Sequence, residues 1–477
     1  MFGENWQQEF NDLTLEQGGE TTLRQALELL RQLDPSALES VDAFRSFVIR
    51  SIAQLDRQLS KQLSAIIQNE EFGRLEARWR NLHSLVSLPV NYRRILVKLL
   101  DVSWAEISRD LNNANTINRS TLYNFIGNKE LNTQGGLPFG LIVIDHYVSV
   151  DMGYDDEFDD LFTLELVGSL GKLCLCPFVM APAAEFFGEP GADWLSDIKR
   201  VEKILDGPDY QGWQRLRKHP EARYIGLAMP RVKLRAPYQD CRIGFLFNEE
   251  NVTPSQAPDG LWGNAAFAFA SIVIREFNRL CWFGFLKSRW QDLYQGAVIN
   301  LPPTSLARAR SGHLHLVSPD SEVRLFGNLS TFYAKQGFIP LSKSALTDKY
   351  YFTNNNSIWR SGQSDDDKVI AQLQTTLLAC RIAHYLKVQI RSMIGNFSTA
   401  SECELFLNQW LDNYAGNVVG DDDQILSKFP LRKASVEVKE VVGELGVFTS
   451  EVVLQPQYQF DHFAGEIVLS TDLGKAS

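Results

Sequence analysis

Residues 436–470 read VEVKEVVGELGVFTSEVVLQPQYQFDHFAGEIVLS, and their period decides the C-terminal fold. Val436 and Val438 alternate with Glu437 and Lys439, which on a strand gives one apolar and one polar face. Gly443 to Gly446 supplies a turn, and Val447 to Gln455 and Glu466 to Ser470 supply two more strands. The pattern predicts an antiparallel three-stranded meander with its last strand at the C-terminal edge. Such an edge carries free backbone donors and acceptors, so it is able to pair with another chain.

Upstream, Thr399 with Glu402 three residues on is a capping-box pattern. It opens a helix with Cys403, Phe406, Trp410 and Tyr414 on one face. Before it a long helix is expected from about Lys368 to Ile394, stopped by Gly395. Its stripe of Ile370, Leu373, Leu377 and Cys380 is extended by His384, and the meander is expected to pack on this helix. Ser361 to Asp367 is polar and acidic and reads as a linker or exposed loop.

The centre alternates. Arg94 to Val102, Leu141 to Ile144 and Leu173 to Met180 read as strands. Asp155 to Leu170 and Asp193 to Leu205 read as helices, the first with the acidic opening turn that the helix dipole favours. Tyr123 to Gly127 leads into a loop carrying Gly135 and Gly136. Strands alternating with helices argue for an α/β core between about residues 90 and 300. Asn264 to Asn278 is a largely apolar helix, buried on most sides.

Near the N terminus, Thr21 to Leu33 reads as a short helix broken at Asp34-Pro35. Ile52, Leu55, Leu59, Leu63 and Ile66, then Phe72, Leu75, Trp79, Leu82 and Leu85, mark two amphipathic helices. They form a helical hairpin or an arm that packs on another subunit. The fold class is thus multi-domain α/β (α+β). Its parts are a helical arm at 1–66, a central α/β domain at 67–364 and a C-terminal domain at 365–477.

Composition excludes several function classes. The 477 residues are 44% hydrophobic and 22% charged, ordinary for a globular chain with more than one core. A net charge of -11 favours neither nucleic acid nor an anionic membrane as partner. The six cysteines have no regular spacing and read as reduced, buried thiols of a cytosolic protein. Met1 to Phe10 lacks the apolar stretch of a secretory signal, and the longest apolar window, Trp262 to Ile274, ends at Arg275. That is shorter than the ~20 residues that cross a bilayer, so a cytoplasmic location is expected.

No phosphate loop, dinucleotide fingerprint, H-E-x-x-H or G-x-S-x-G occurs. Cys174 and Cys176 would share a strand face, but a second ligand pair is missing, so buried thiols are expected rather than a metal site. His313 and His315 read as surface or interface polar residues, and His384 as a core or interface histidine rather than a general base. The cluster Asp155, Asp156, Glu157, Asp159 and Asp160 lacks the glycine turn and spaced oxygens of a calcium loop. It reads as a helix start or charged contact surface, and Asp365 to Asp367 and Asp421 to Asp423 read as loops. No catalytic residue, cofactor or metal is expected, and the chain reads as a structural protein rather than an enzyme.

Longer stretches resemble a family. They are EFGRLEARWRNLH (Glu71–His83), GGLPFGLIVIDHY (Gly135–Tyr147), DGPDYQGWQRLRKHPEARYIGLAMPRVKLRAPY (Asp206–Tyr238), LWGNAA (Leu261–Ala266) and GFIPL (Gly337–Leu341). CRIAHYLKVQIRSMIGNF (Cys380–Phe397) and YQFDHFAGEIVLS (Tyr458–Ser470) complete the series. In this order and spacing they resemble the large subunit of the type VI secretion contractile sheath, the TssC or VipB family. The match weakens over Lys287–Gln295, Pro303–Ser330 and Lys343–Trp359.

The resemblance implies a contractile-tail sheath fold and a mechanical role. Members pair with a small sheath subunit (TssB or VipA type), and the heterodimers polymerise as a helical tube around an inner tube, on a baseplate. Contraction releases the energy of the extended lattice, and an unfoldase recycles the sheath through the small subunit. Neighbouring copies are tied by exchanged strands. On that reading Val447, Val452, Leu454, Glu466, Ile467, Val468, Leu469 and Ser470 belong to the interlocking sheet, while His384 and Trp410 mark helices of the inner layer or partner contact. The alternative is a non-polymerising adaptor derived from a sheath gene.

Overall fold

The structure is a computed structural model. It describes residues 35–150, 159–188, 193–238, 241–242, 244–250, 260–283, 286, 298–299, 306–308, 314–316, 321–343, 350–360, 362, 364–393, 399–416, 428–440, 448–457 and 467–473, with residues 28, 31 and 32. The first elements are helices α1 (Val41–Ile67), α2 (Glu70–Val86) and α3 (Trp104–Asn113). The central elements follow as β1 (Ile142–Val148), α4 (Asp160–Cys174), β2 (Phe178–Pro182), α5 (Ile198–Leu205), α6 (Gln211–Leu216), β3 (Ile225–Met229) and β4 (Val232–Arg235). Next come β5 (Cys241–Arg242), β6 (Leu246–Phe247), β7 (Leu261–Gly263), α7 (Ala265–Leu280), β8 (Val298–Ile299), β9 (Leu306–Arg308) and β10 (Leu314–Leu316). The chain closes with α8 (Gly327–Lys335), β11 (Phe338–Lys343), β12 (Tyr350–Phe352), α9 (Asp365–Ile370), α10 (Leu373–Met393), α11 (Ala400–Asp412), β13 (Leu431–Glu440), β14 (Phe448–Pro456) and β15 (Ile467–Leu473).

Two compact units divide it. The smaller combines residues 1–73 with 237–260. Ser40 caps α1 by accepting the Ala43 N–H. The spaced apolar residues fall on one stripe, yet Ile52, Leu55, Leu59 and Ile66 are exposed. The packed face is polar. Ser60 Oγ donates to the Leu246 carbonyl at 3.4 Å, and the Glu250 N–H donates to Ser64 Oγ at 2.9 Å. Gln68 Nε2 donates to the Glu250 carbonyl at 2.8 Å. The β5–β6 hairpin is therefore held by side-chain bonds, with the apolar stripe of α1 left open.

The larger unit is built on a six-stranded sheet in the order β1-β2-β3-β11-β12-β8. The pairs from β1 to β11 are parallel, and β12 and β8 add antiparallel. Every residue of β2 and β3 is buried, as expected of strands covered on both faces. On one face α4 lays Leu164, Val167 and Leu170 into a cluster with Phe178, Met180, Ile225 and Leu227. On the other, Ala265, Ala266, Phe269 and Ile272 of α7 meet Val179, Ala228 and Ile339. The approach of α4 is close: a Cβ on Gly171 would stand 2.9 Å from the Tyr224 Cβ. At the end of this core Trp213 stacks on Phe338 at 5.7 Å, and Phe186 meets Phe338 edge-on at 5.5 Å.

Arg217 crosses this aromatic cluster. It is 6% exposed, and its guanidinium donates to the carbonyls of Lys335 (2.7 Å) and Ile358 (3.0 Å). Lys335 ends α8, where the helix dipole favours a cation. Burial brings the Arg217 pKa down to about 10.

In the third layer α10 and α11 cover the β13–β14–β15 sheet. Leu378, Ile382 and Leu386 of α10 and Cys403, Leu407 and Leu411 of α11 share a core with Val436, Val438, Val452 and Leu454. His384, beside Ala383 on α10, is 3% exposed, with its ring near the Cys174 and Leu175 backbone. Burial first, and nearby Arg381 second, push its pKa down to about 4.

Several sequence readings are corrected. Arg94–Val102 is no strand: residues 95–103 have no regular structure, and Leu96, Leu99 and Leu100 are exposed. An apolar run becomes a strand only beside a partner ladder. Tyr123–Gly127 does lead toward the loop of Gly135 and Gly136, as a turn at Thr121–Tyr123 continuing into a π-helix over Asn124–Asn132. Cys174 ends α4, and Leu175 takes a left-handed φ of 51° that closes the helix. Cys174 and Cys176 therefore share no strand, and β2 starts at Phe178. Asp193–Leu205 is split into a turn at Asp193–Ser196 and α5, capped by Asp197. The long helix is two, α9 and α10. Their break is held by Ser357 N–H to the Ala371 carbonyl (2.8 Å) and Leu373 N–H to the Asn355 carbonyl (2.7 Å). Asp365–Asp367 opens α9 rather than a loop. The α/β core extends past residue 300 to β12. The helix at Thr21–Leu33 lies largely outside the described residues.

Two outcomes follow from this packing. Phe338→Ala, at a fully buried aromatic position, is expected to lower unfolding free energy by about 3–5 kcal/mol in denaturant titrations; a loss below about 1 kcal/mol would contradict the packing. For His384, the folded pKa of about 4 lies below the unfolded value of 6.5. The unfolded chain thus binds more protons between those values. Stability should fall as pH drops through 6.5 and level off below about 4, by about 3 kcal/mol in total. His384→Leu should flatten that slope.

Candidate functional site

The C-terminal sheet is laid down by simple alternation. Val436 and Val438 on β13 and Val452 and Leu454 on β14 are buried, while Glu437, Lys439 and Glu451 are exposed. One face therefore belongs to the helices and the other to solvent. Thr399 starts α11 by accepting the Glu402 N–H at 3.4 Å. This puts Cys403, Leu407 and Leu411 on the sheet side. Trp410 and Tyr414 flank that stripe, half-buried, with ring centroids 4.9 Å apart. Tyr414 also meets Trp282 edge-on at 5.7 Å.

The two edges of the sheet differ. β14 is central, pairing Glu437 with Glu451 and Glu451 in turn with Ser470. At the outer edge of β13, Leu431 N–H donates to the Tyr414 carbonyl (3.1 Å), and Gly416 N–H donates to the Leu431 carbonyl (2.9 Å). Farther along, Asn408 Nδ2 donates to the Val436 carbonyl and Asn408 Oδ1 accepts the Val436 N–H, both at 2.9 Å. Glu404 Oε2 accepts the Val438 N–H at 3.0 Å. β15 pairs with β14, and among the described residues no strand lies on its other edge.

The residues singled out in the sequence distribute over this arrangement. Ile467, Val468, Leu469 and Ser470 lie in β15, whereas Val447 and Glu466 fall outside the described residues. Val452 and Leu454, 2% and 0% exposed, have their side chains in this chain's own core. His384 is also buried, at 3% exposure, on α10 between Ala383 and Leu386 of that core. The Asn408 and Glu404 contacts were missed, because a helix side chain that bonds a distant strand leaves no periodic trace.

Elsewhere the polar groups are used structurally. Asp159 caps α4. Asp160 accepts Trp104 Nε1–H (2.6 Å) and the Ser149 N–H (2.9 Å), and meets His146 Nε2 at 2.9 Å. Trp104 stacks on that imidazole at 4.3 Å. Asp155, Asp156, Glu157, His313 and Asp421 to Asp423 fall outside the described residues. Burial pushes the Cys174 and Cys380 thiols up to about 12, the direction that makes a thiol inert. Among the described residues no group of three or more His, Cys, Asp or Glu is placed to hold a metal. A cavity beyond β2 and β3, lined by Phe187, Met229, Arg231 and Glu322, holds about 20 Å³, room for one water. A shallow depression of about 390 Å³ beside α3 includes Asp110, whose carboxylate already accepts the Thr121 and Leu122 N–H groups. No helix among the described residues is long and apolar enough to cross a membrane.

Comparison with known proteins sets this chain beside tail sheath proteins. Residues 50–359 match the EvpB/VC_A0108 tail sheath N-terminal domain, and residues 362–473 match the EvpB/VC_A0108 tail sheath gpW/gp25-like domain. The type VI secretion system sheath protein TssC1 of Pseudomonas aeruginosa is 29% identical over 473 residues, covering 95% of this chain and 92% of the relative. Among solved structures, the sheath tail protein of Desulfitobacterium hafniense is 11% identical at a TM-score of 0.27, over 66% of this chain and 62% of that one. The sheath tail protein of Listeria innocua is 12% identical at 0.28, over 66% and 60%. It is the two sheath-domain matches, spanning most of the chain, that decide the assignment: this chain belongs to the EvpB/VC_A0108 (VipB) tail sheath family, as a large sheath subunit of the type VI secretion type.

Proposed function

We propose that this chain pairs with a small sheath subunit and polymerises around an inner tube as a contractile sheath. Energy stored in the extended lattice would be released on contraction to drive the tube outward from a baseplate, with recycling by an unfoldase acting through the small subunit. The observation that supports the reading is that, among the described residues, no strand lies beside β15 in the C-terminal sheet. A backbone ladder across that edge would join neighbours while leaving their side chains free to re-pack, as a hinge between rigid bodies needs. Ile467 to Ser470 supply that ladder, and Val447 and Glu466, next to β14 and β15 in sequence, are proposed to belong to it. The working partition is an arm at 1–66, a central domain at 67–364 and an assembly domain at 365–477. Helices α10 and α11, carrying His384 and Trp410, are the proposed inner layer.

The exposed stripe of α1, with Ile52, Leu55, Leu59 and Ile66, supports the small-subunit contact. An apolar face of this length on a helix packed through its polar side is what a partner helix covers. The acidic net charge supports a protein partner rather than nucleic acid or membrane.

Two experiments test this. Truncation after Gly465 removes β15; co-expressed with the cognate small subunit, it should give heterodimers but no hollow tubes in negative-stain electron microscopy. Long intact sheaths from that truncation would refute the strand role, and full-length protein that forms only heterodimers would identify a non-polymerising adaptor. Leu55→Asp with Leu59→Asp should leave the fold intact by circular dichroism and abolish co-purification of the small subunit; unchanged co-purification would remove α1 from that contact.

A further inference from the structure

The outer edge of β13 is satisfied by its own chain in a way that imitates a strand. In an antiparallel ladder a residue facing the neighbour exchanges an N–H···O bond in each direction. Val436 does so with one side chain, the Asn408 amide, which donates through Nδ2 and accepts through Oδ1 at 2.9 Å each. Two residues on, Val438 N–H donates to Glu404 Oε2. Glu404 and Asn408 stand one helical turn apart, a rise of about 6 Å. Val436 and Val438 stand two strand residues apart, about 6.8 Å. Helix pitch and strand repeat match, so one helix serves successive outward groups. The start of the strand is closed by Tyr414 and Gly416 through Leu431.

We infer that α11 seals the β13 edge with Asn408 and Glu404, so that a strand from a neighbouring sheath chain is admitted only beside β15. This rests on the strand-exchange reading above and gives it a direction. The register fixes which groups remain on offer. Val436 faces outward and pairs with Val452, so Val452 turns its backbone groups toward β15 and bonds Leu469. Val468, Ser470 and Asp472 then face away from β14. A sheet with both edges open would let chains add on either side and branch. One sealed edge makes each addition single and polar.

Glu437 and Ser470 lie in one cross-strand row, at opposite edges of the sheet. Replacing each in turn by the photocrosslinker p-benzoylphenylalanine, in full-length chain assembled with the small subunit, reads both edges equivalently. Tubes should yield inter-chain capture from position 470 and none from 437. Capture of a neighbouring strand from 437 in wild-type tubes overturns the seal and leaves strand exchange standing. Tubes with capture from neither position overturn strand exchange itself. Asn408→Leu with Glu404→Ala should then add capture at 437 and replace straight tubes with branched or laterally fused assemblies. Unbranched tubes with no capture at 437 from that double variant would also overturn the seal. Should it fail to fold, the wild-type capture pattern still decides.

Discussion

Unmet backbone donors and acceptors at the rim of a strand are the constraint around which this chain is built. A rim strand must be covered by its own chain, left to water or given to a partner. The C-terminal sheet does the first at β13, through Asn408, Glu404 and the Tyr414–Gly416 backbone. Beside its β15 rim no strand lies among the described residues. The proposed contraction would require a sheath subunit to hold its neighbours as they move. Backbone bonds suit that task, because they do not depend on which side chains arrive beside them.

A hinge transmits force only if the bodies on either side are stiff. In the proposed hinge that stiffness would come from the six-stranded sheet, with two fully buried parallel strands between apolar helix faces. Buried charge adds further ties within the same unit. Glu76 on α2 accepts from Arg235 Nε of β4 at 3.0 Å and from Arg80 at 2.7 Å, with the Arg235 side chain 4% exposed. Burial alone would raise the Glu76 carboxyl, but the two guanidinium groups outweigh it and hold its pKa below the usual range. Arg217 is held by main-chain carbonyls instead of a carboxylate. A charge fixed in this way tolerates little displacement, since moving either partner leaves an unpaired group in a low-dielectric interior.

The parts of the fold that were legible in the sequence are those with internal periodicity. The meander, the Thr399-capped helix and the apolar helix behind Asn264 each announce themselves by a repeat of two or by a cap and stripe. What was not legible depends on partners far away. Residues 95–103 have strand composition but no ladder. The α9–α10 break is set by Ser357 and Asn355, which no local pattern around Ala371 reveals. The β5–β6 hairpin and the residues after it join α1 in one unit, Ser60 meeting Leu246 and Ser64 meeting Glu250, serines that a hydrophobic pattern assigns to the solvent side. The meander itself was readable; the difference between its two edges was not, because it depends on two polar side chains of another element.

That last point bears on how such a surface is encoded. An open edge makes few demands on sequence, since any extended chain presents the same donors and acceptors. A closed edge demands particular groups: an amide at 408 that both donates and accepts, and a carboxylate at 404 one turn away to receive the next N–H. Under the proposed strand exchange, specificity would be carried mostly by the edge that does not exchange. Side chains within β15 should tolerate substitution that keeps strand propensity, whereas Asn408 should not tolerate even Asp, which at neutral pH cannot donate to the Val436 carbonyl. On the proposed reading, the residues that direct assembly would lie on the helix behind the sheet, away from the interface they govern.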